Sequence, residues 1–243
     1  MSPLDALKIK IFADGASIDS ILQLRANPLV KGFTTNPTLM RKAGVTDYES
    51  FGRSLLEAVT DRPVSLEVFA DDLPTMAGQA RAIASWGGNV NVKIPVTNTK
   101  GEFTGPILRE LSSAGVVLNV TAITTEAQVA AVAGCLHADT PAIVSVFAGR
   151  IADTGIDPVP VMARCRALLQ GRPKAELLWA SPREILNIFQ ADAVGCHIIT
   201  VTADVLAKLA VVGKDLDAFS LETVRMFYDD ACAAGYSIRT GAP

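Results

Sequence analysis

The stretch Asn89-Val-Asn-Val-Lys-Ile-Pro-Val96 decides how this chain folds. It alternates, is rich in valine and isoleucine, and reads as a strand over Val90 to Pro95. A helical pattern precedes it over Leu73 to Ser85, capped by Asp72, with Pro74 near the first turn and Gly87-Gly88 as the stop. A second helical pattern follows over Pro106 to Ser113, ended by Gly115, and then a further β-prone run over Val116 to Thr121. This is a strand–helix–strand unit, and the rest of the chain repeats it.

Working outward, the β-prone runs are Ile9 to Asp14, Gly32 to Asn36, Val64 to Ala70, Val90 to Pro95, Val116 to Thr121, Ala142 to Phe147, Glu176 to Ser181 and His197 to Val201. They recur every roughly 20 to 35 residues, the length of a βα unit. Helical patterns lie between them. Ser17 caps Ile18 to Arg25, and Thr125 to Leu136 is alanine-rich. Asp157, Pro158 and Pro160 introduce Val161 to Leu169, Pro182 opens a helix through Asp192, and Ala203 to Val212 follows the last run. Strict alternation predicts a parallel sheet, and eight units predict a closed (β/α)8 barrel of the TIM type. A doubly wound open sheet is the alternative, but the first turn, Ala13-Asp14-Gly15-Ala16-Ser17, lacks the glycine pattern of a nucleotide site. No linker or low-complexity stretch divides residues 1–243, so a single domain is expected. A further amphipathic helix stands at about 221–236.

Composition narrows the function. The chain has 243 residues, 49% of them hydrophobic, and a net charge of −3, which argues against broad nucleic-acid binding. Cys135, Cys165, Cys196 and Cys232 show no C-x-x-C spacing, and His137 and His197 are the only histidines, so no metal site is indicated. No run reaches the about 18 apolar residues of a spanning helix, and Met1 to Lys10 lacks an apolar signal core. A cytoplasmic protein with no membrane partner is expected.

In a barrel of this type the active site gathers at the C-terminal ends of the strands. Polar residues crowd those ends here: Asp14, then Thr34 with Asn36, Glu67, Lys93, Asn119 with Thr121, Ser145 leading to Arg150, and Ser181 leading to Arg183. Each has a plain alternative. Asp14 can cap a turn, Thr-Asn-Pro forms a turn alone, Asn119 and Thr121 can bond locally, and the arginines can lie in surface loops. Lys93 can snorkel to the strand edge. Glu67 is harder to set aside, since a carboxylate among apolar strand residues needs a partner. Period two puts Thr34 with Asn36, Asn119 with Thr121, and Ser145 with Phe147 on shared faces. A lysine buried in a strand is biased toward its neutral amine, which is a nucleophile toward carbonyl carbon.

These residues together resemble the transaldolase family. Gly32-Phe-Thr-Thr-Asn-Pro-Thr-Leu39 is close to its Thr-Thr-Asn-Pro signature, and Asn91-Val-Lys-Ile-Pro95 resembles its Schiff-base lysine strand. Asn119-Val-Thr-Ala122, Ser145-Val-Phe-Ala-Gly-Arg-Ile-Ala-Asp153 and Ala180-Ser-Pro-Arg183 continue the resemblance in order, from Ile11 to about Ala234. The compact length is similar to the small branch that includes the fructose-6-phosphate aldolases.

The resemblance implies roles. Lys93 forms the imine with a ketose carbonyl, Asp14 is the general base, and Glu67 with Thr121 holds a proton-shuttling water. Asn36 and Asn119 bind substrate hydroxyls, supported by Thr34 and Ser145, while Arg150 and Arg183, with Ser181, bind a terminal phosphate. It implies sugar-phosphate substrates, no cofactor, and a homo-oligomer, pentameric or decameric. Glu67 and Phe147 match the transaldolases, where the fructose-6-phosphate aldolases carry Gln and Tyr. The pattern is broken at Phe12-Ala-Asp-Gly-Ala-Ser17, where the family more often shows Leu-Asp-Thr-Ala, and by Pro182. A Schiff-base aldolase, and a sugar-phosphate binder without catalysis, are the competing expectations.

Overall fold

The computed structural model describes residues 3–241. Its Cα packing defines two compact units, Leu7–Ala207 and, separately, the described parts of Met1–Ala6 and Lys208–Pro243.

The larger unit is a closed, all-parallel barrel in the order β1 to β8. In chain order its elements are β1 (Lys10–Asp14), α1 (Ile18–Arg25), β2 (Val30–Thr34), α2 (Pro37–Lys42), α3 (Tyr48–Ala58), β3 (Val64–Glu67), α4 (Leu73–Ala84) and β4 (Val90–Pro95). Then follow α5 (Gly105–Ser113), β5 (Leu118–Ile123), α6 (Glu126–Ala133), β6 (Ala142–Val146), α7 (Ala148–Asp153), α8 (Pro158–Leu168), β7 (Ala175–Trp179), α9 (Leu186–Ala193), β8 (Ile198–Thr202) and α10 (Ala203–Ala207). The smaller unit carries 3-10 turns at Pro3–Ala6 and Lys208–Val211 and one long helix, α11 (Leu216–Ala233).

All eight predicted strands are present, and the open-sheet alternative is excluded by the pairing of β1 with β8 over Lys10 to Asp14. Local chemistry explains the helix starts. Ser17, Asp72 and Thr125 each accept a hydrogen bond from a first-turn backbone N–H, and Thr125 forms a full capping box with Gln128.

Several boundaries move. Asn36 lies past the end of β2 and caps α2, and β3 ends at Glu67 instead of Ala70. The helix expected to open at Pro182 starts at Leu186, because Ser181 adopts φ 56° and the chain turns first. The last helix starts at Leu216, where Asp215 accepts a hydrogen bond from Ala218 N, five residues ahead of the expected 221. Two helices between β2 and β3 are absent from the sequence reading. In α3 the apolar spacing is there, at Tyr48, Phe51, Leu55 and Leu56, but Gly52 interrupts it. The ring of Trp86 lies over Gly52, and a Cβ there would come within 2.7 Å of it. Packing, not turn chemistry, therefore places that glycine.

The barrel interior sets the floor beneath the strand ends. Phe12, Ile143, Leu178 and Ile198 form one buried apolar cluster with Ala180. Phe12 precedes Asp14 by two residues, Ile143 precedes Ser145 by two, and Ile198 precedes Thr200 by two, so each apolar residue lies one layer below a polar one. Gly32 makes room for the Phe12 ring, which would sit 2.6 Å from a Cβ on β2. Among the described residues no helix is long and apolar enough to cross a membrane.

Candidate active site

A cavity of ≈ 400 Å³ opens over this floor. It is lined by every residue singled out from the sequence except Arg183. The barrel thus collects side chains separated by more than a hundred residues into one cleft.

Lys93 is at its centre. Its side chain is 9% exposed and Nζ lies 3.0 Å from Glu67 Oε2. Nζ also donates to the Thr35 carbonyl at 2.7 Å. Glu67 and Lys93 are register partners on β3 and β4, so the parallel ladder itself sets them side by side. A buried pair of this kind contributes little net stability, because desolvation offsets the attraction. Its value lies in holding an amine, a carboxylate and a carbonyl in one place.

Asp14 faces them from β1. Its Oδ1 accepts from Thr34 Oγ1 at 2.8 Å and its Oδ2 from Asn36 Nδ2 at 3.2 Å. Thr34 Oγ1 also lies 2.6 Å from Thr200 Oγ1. Asn36 is fixed at the same time by its own cap, since its Oδ1 accepts from Leu39 N at 2.9 Å. The cost of burial pushes the Asp14 carboxyl above its ordinary value of 3.8, against the pull of the Lys93 charge and the Thr34 hydrogen bond, with Glu67 adding to the rise. Asp14 is only half-buried by surface area, but its carboxylate sits among protein atoms at the cavity base. It is a carboxylate prepared to exchange a proton.

A third group spans β3, β5 and β6. Ser145 Oγ donates to Asn119 Oδ1 at 2.6 Å, and Asn119 Nδ2 donates to Ser65 Oγ at 3.0 Å. Thr121 lines the cavity from β5, where pairing with β6 shifts register between Val120 and Ile123. The shift coincides with Ala122 at φ 62°, a left-handed conformation costly for a residue with a Cβ. The irregular backbone aims Thr121 and Ala122 into the cavity rim.

The opposite rim is looser. Phe147 caps α7 with its backbone and lines the cavity, and the Arg150 guanidinium lies 5.6 Å from its ring centroid. Ser181 lines the cavity in its left-handed conformation. Gly149 is required beside it, since a Cβ would fall 1.5 Å from the Ser181 carbonyl oxygen. Arg183 donates from Nε to Asp153 Oδ1 at 3.0 Å, outside the cavity lining.

Three contributors escaped the sequence reading. Ser65 and Thr200 were readable, because each stands two residues from a polar strand end, Glu67 and Thr202. Tyr48 was not. Its hydroxyl donates to the Glu67 carbonyl at 2.6 Å and accepts from Glu67 N at 2.7 Å, a contact made across two helices that the sequence reading did not contain.

Known proteins match this chain along most of its length. A family model described as Transaldolase/Fructose-6-phosphate aldolase matches residues 11–238. "Probable transaldolase 2" of Listeria monocytogenes is 34% identical over 225 residues, covering 87% of this chain and 98% of that protein. "Probable transaldolase" of Sphingopyxis alaskensis is 35% identical over 217 residues, covering 87% and 95%. Among solved structures, "QR15, an Aldolase" superposes with a TM-score of 0.56 at 12% identity, over 85% of this chain and 99% of that one. A 3-hexulose-6-phosphate synthase superposes with a TM-score of 0.55 at 14% identity, over 81% and 90%. At those identities the two structures speak for the fold alone.

Proposed function

The chain belongs to the transaldolase/fructose-6-phosphate aldolase family, and on that premise we propose that it is a Schiff-base transaldolase. It moves a dihydroxyacetone unit from a ketose phosphate, such as fructose 6-phosphate or sedoheptulose 7-phosphate, to an aldose phosphate. The observation that carries the reading is a single buried lysine, Lys93, flanked at 3.0 Å by Glu67 in a cavity it shares with Asp14.

The reaction runs as follows. Lys93 passes a proton to Glu67, 3.0 Å away, its amine adds to the C2 carbonyl of the ketose, and the carbinolamine loses water to give the imine. Glu67, 3.0 Å from Nζ, with Thr121, supplies and receives the protons of that dehydration. Asp14 takes the proton from the C4 hydroxyl, the C3–C4 bond breaks, and its electron pair moves into the imine as an enamine. An aldose leaves, an acceptor aldehyde enters, and Asp14 returns its proton to the new alkoxide. Water then hydrolyses the product imine. Asn36 and Asn119 hold the hydroxyls of the bound three-carbon unit; Ser145 fixes Asn119, and Thr34 fixes the Asp14 carboxylate that Asn36 also bonds. Arg150 binds the terminal anion with Ser181. Arg183 joins by exchanging Asp153 for that anion.

Phe147 favours transfer over release. A phenyl ring has no proton to give the enamine, so the enamine waits for an aldehyde. Borohydride added with fructose 6-phosphate is expected to lock a three-carbon adduct onto Lys93, located by mass mapping. Without an acceptor, free dihydroxyacetone should form slowly. Rapid acceptor-free release would replace this reading with that of an aldolase, and ligand binding undiminished in Lys93→Ala, with no adduct in the native chain, would leave only a binding protein.

The family likeness suggests a homo-oligomer, pentameric or decameric, in the cytoplasm, and the exposed Phe219, Val224 and Phe227 of α11 offer apolar side chains for such an assembly. Light scattering tests the assembly.

A further inference from the structure

The β2 and β3 strands part company where the site begins. They pair only at Phe33 with Val64 and Thr34 with Ser65, whereas β3 and β4 pair through Glu67 and Lys93. The last ladder bond between β2 and β3 runs from Thr35 N to the Ser65 carbonyl at 3.1 Å. A parallel ladder would continue with Glu67 N donating to the Thr35 carbonyl, then with the N–H of residue 37 donating to the Glu67 carbonyl. Neither bond forms. The Thr35 carbonyl instead accepts from Lys93 Nζ, and residue 37 is a proline with no N–H to give.

Both abandoned groups of Glu67 turn to one side chain. The Tyr48 hydroxyl accepts from Glu67 N at 2.7 Å and donates to the Glu67 carbonyl at 2.6 Å. In an extended residue the N–H and C=O point the same way, so one hydroxyl satisfies both. Tyr48 is itself fixed. It opens α3, whose cap is Asp47 accepting from Ser50 N at 2.9 Å. Its ring meets Phe69 edge-on at 5.2 Å and Trp86 at 6.2 Å.

We propose that Tyr48 is a positioning residue of the reaction: its hydroxyl stands in for the missing β2 ladder, frees the Thr35 carbonyl for Lys93, and fixes the Glu67 carboxylate against the amine. This rests on the Schiff-base reading above. The substitution has a physical logic. Parting β2 from β3 opens the cavity at Asn36 and Pro37, but would leave a buried N–H and C=O unsatisfied beside the reacting lysine. A phenol is long enough to reach them from a helix, and burial holds its ionisation far above physiological pH, so it remains a donor throughout.

The test compares the native chain with Tyr48→Phe, which keeps the ring, and Phe69→Ala, which removes packing on that ring and keeps the hydroxyl. The readouts are the single-turnover rate of the borohydride-trapped Lys93 adduct with fructose 6-phosphate, the KM for that ketose, the Tm, and hydrogen exchange of the Glu67 amide. In Tyr48→Phe the Glu67 amide should exchange at least about tenfold faster and the adduct should form about tenfold more slowly, with KM within about threefold. Phe69→Ala should lower the Tm while forming the adduct at the native rate. The proposal is overturned if Tyr48→Phe forms the adduct at the native rate and only its Tm falls. It is equally overturned if Phe69→Ala slows the adduct as much, since ring packing alone would then explain the effect. If the native chain gives no Lys93 adduct, the functional reading fails. The exchange measurement then decides for Tyr48, and an unchanged Glu67 amide rate in Tyr48→Phe overturns the positioning role.

Discussion

The two halves of the cavity rim are built differently. From β1 to β6 the polar side chains are mostly buried and bonded to one another: Thr34 and Asn36 to Asp14, Lys93 to Glu67 and Thr35, Ser145 to Asn119 to Ser65. Past β6 the groups are fewer, partly solvated and set by backbone turns: Arg150 over the Phe147 ring, Ser181 in a left-handed conformation, Arg183 on Asp153. The first half has the rigidity that proton transfer and imine chemistry need, because small errors in position cost large factors in rate. The second half has the reach that a charged, solvated end of a substrate needs, because anion binding tolerates adjustment of long side chains. Under the proposed function, one barrel holds a fixed wall for the chemistry and an adaptable wall for the anion.

Substitutions should separate the two walls by their kinetics. Lys93→Ala strikes the first wall hardest. It should remove the borohydride adduct and lower transfer by on the order of 10⁴-fold or more, read by coupled assay and mass mapping. Retained transfer at a tenth of the native rate would break the assignment of chemistry to this wall. Asp14→Asn should lower kcat by about 10²- to 10⁴-fold, with little change in KM.

Asp14 also carries a sign that can be checked. Its carboxyl binds a proton more tightly in the fold than in the unfolded chain, so it favours the fold below 3.8 and loses that contribution as pH rises through its raised value. At neutral pH the ionised group opposes folding. Asp14→Asn should therefore raise the Tm at pH 7, by roughly 2–4 °C if the gain is about 1 kcal/mol. The acid limb of kcat/KM in the native protein should lie above 3.8, since Asp14 must be ionised to act as a base.

The anion wall should respond in KM. Arg150→Ala should raise KM for a phosphorylated ketose by about 10- to 100-fold, the loss of a charged hydrogen bond, with kcat preserved. Arg183→Ala should raise it by less than about fivefold, because Arg183 must first leave Asp153. The reverse order would make Arg183 the principal anion ligand and redraw the cavity on that side. The smallest effect is expected at the seam. Ala122→Gly relieves a φ of 62° and should raise the Tm by a few degrees or less, for about 1 kcal/mol at most.

The legible part of the site was its strand-end chemistry. Lys93, Glu67 and Asp14 are costly in a strand unless partnered, and period two carries their positions directly to one face. Ser65 and Thr200 obeyed the same rule and were available to it. The Arg183 partner is not legible in the sequence: an exposed carboxylate, Asp153, thirty residues earlier in the chain, takes the guanidinium.

What the amino-acid sequence determined by itself is local and periodic: eight β-prone runs, most of the helices between them, caps such as Ser17 and Asp72, and which side chains face which way along each strand. Those follow from backbone geometry and nearest-neighbour chemistry. What only the tertiary structure decided is where the ladder stops. The parting of β2 from β3, the glycine beneath Trp86, the left-handed Ala122 and Ser181, and the Tyr48 hydroxyl on Glu67 each depend on groups brought together from separate elements. A buried N–H or a crowded Cβ accepts whichever partner the packing delivers, and no pattern within a single segment specifies that partner.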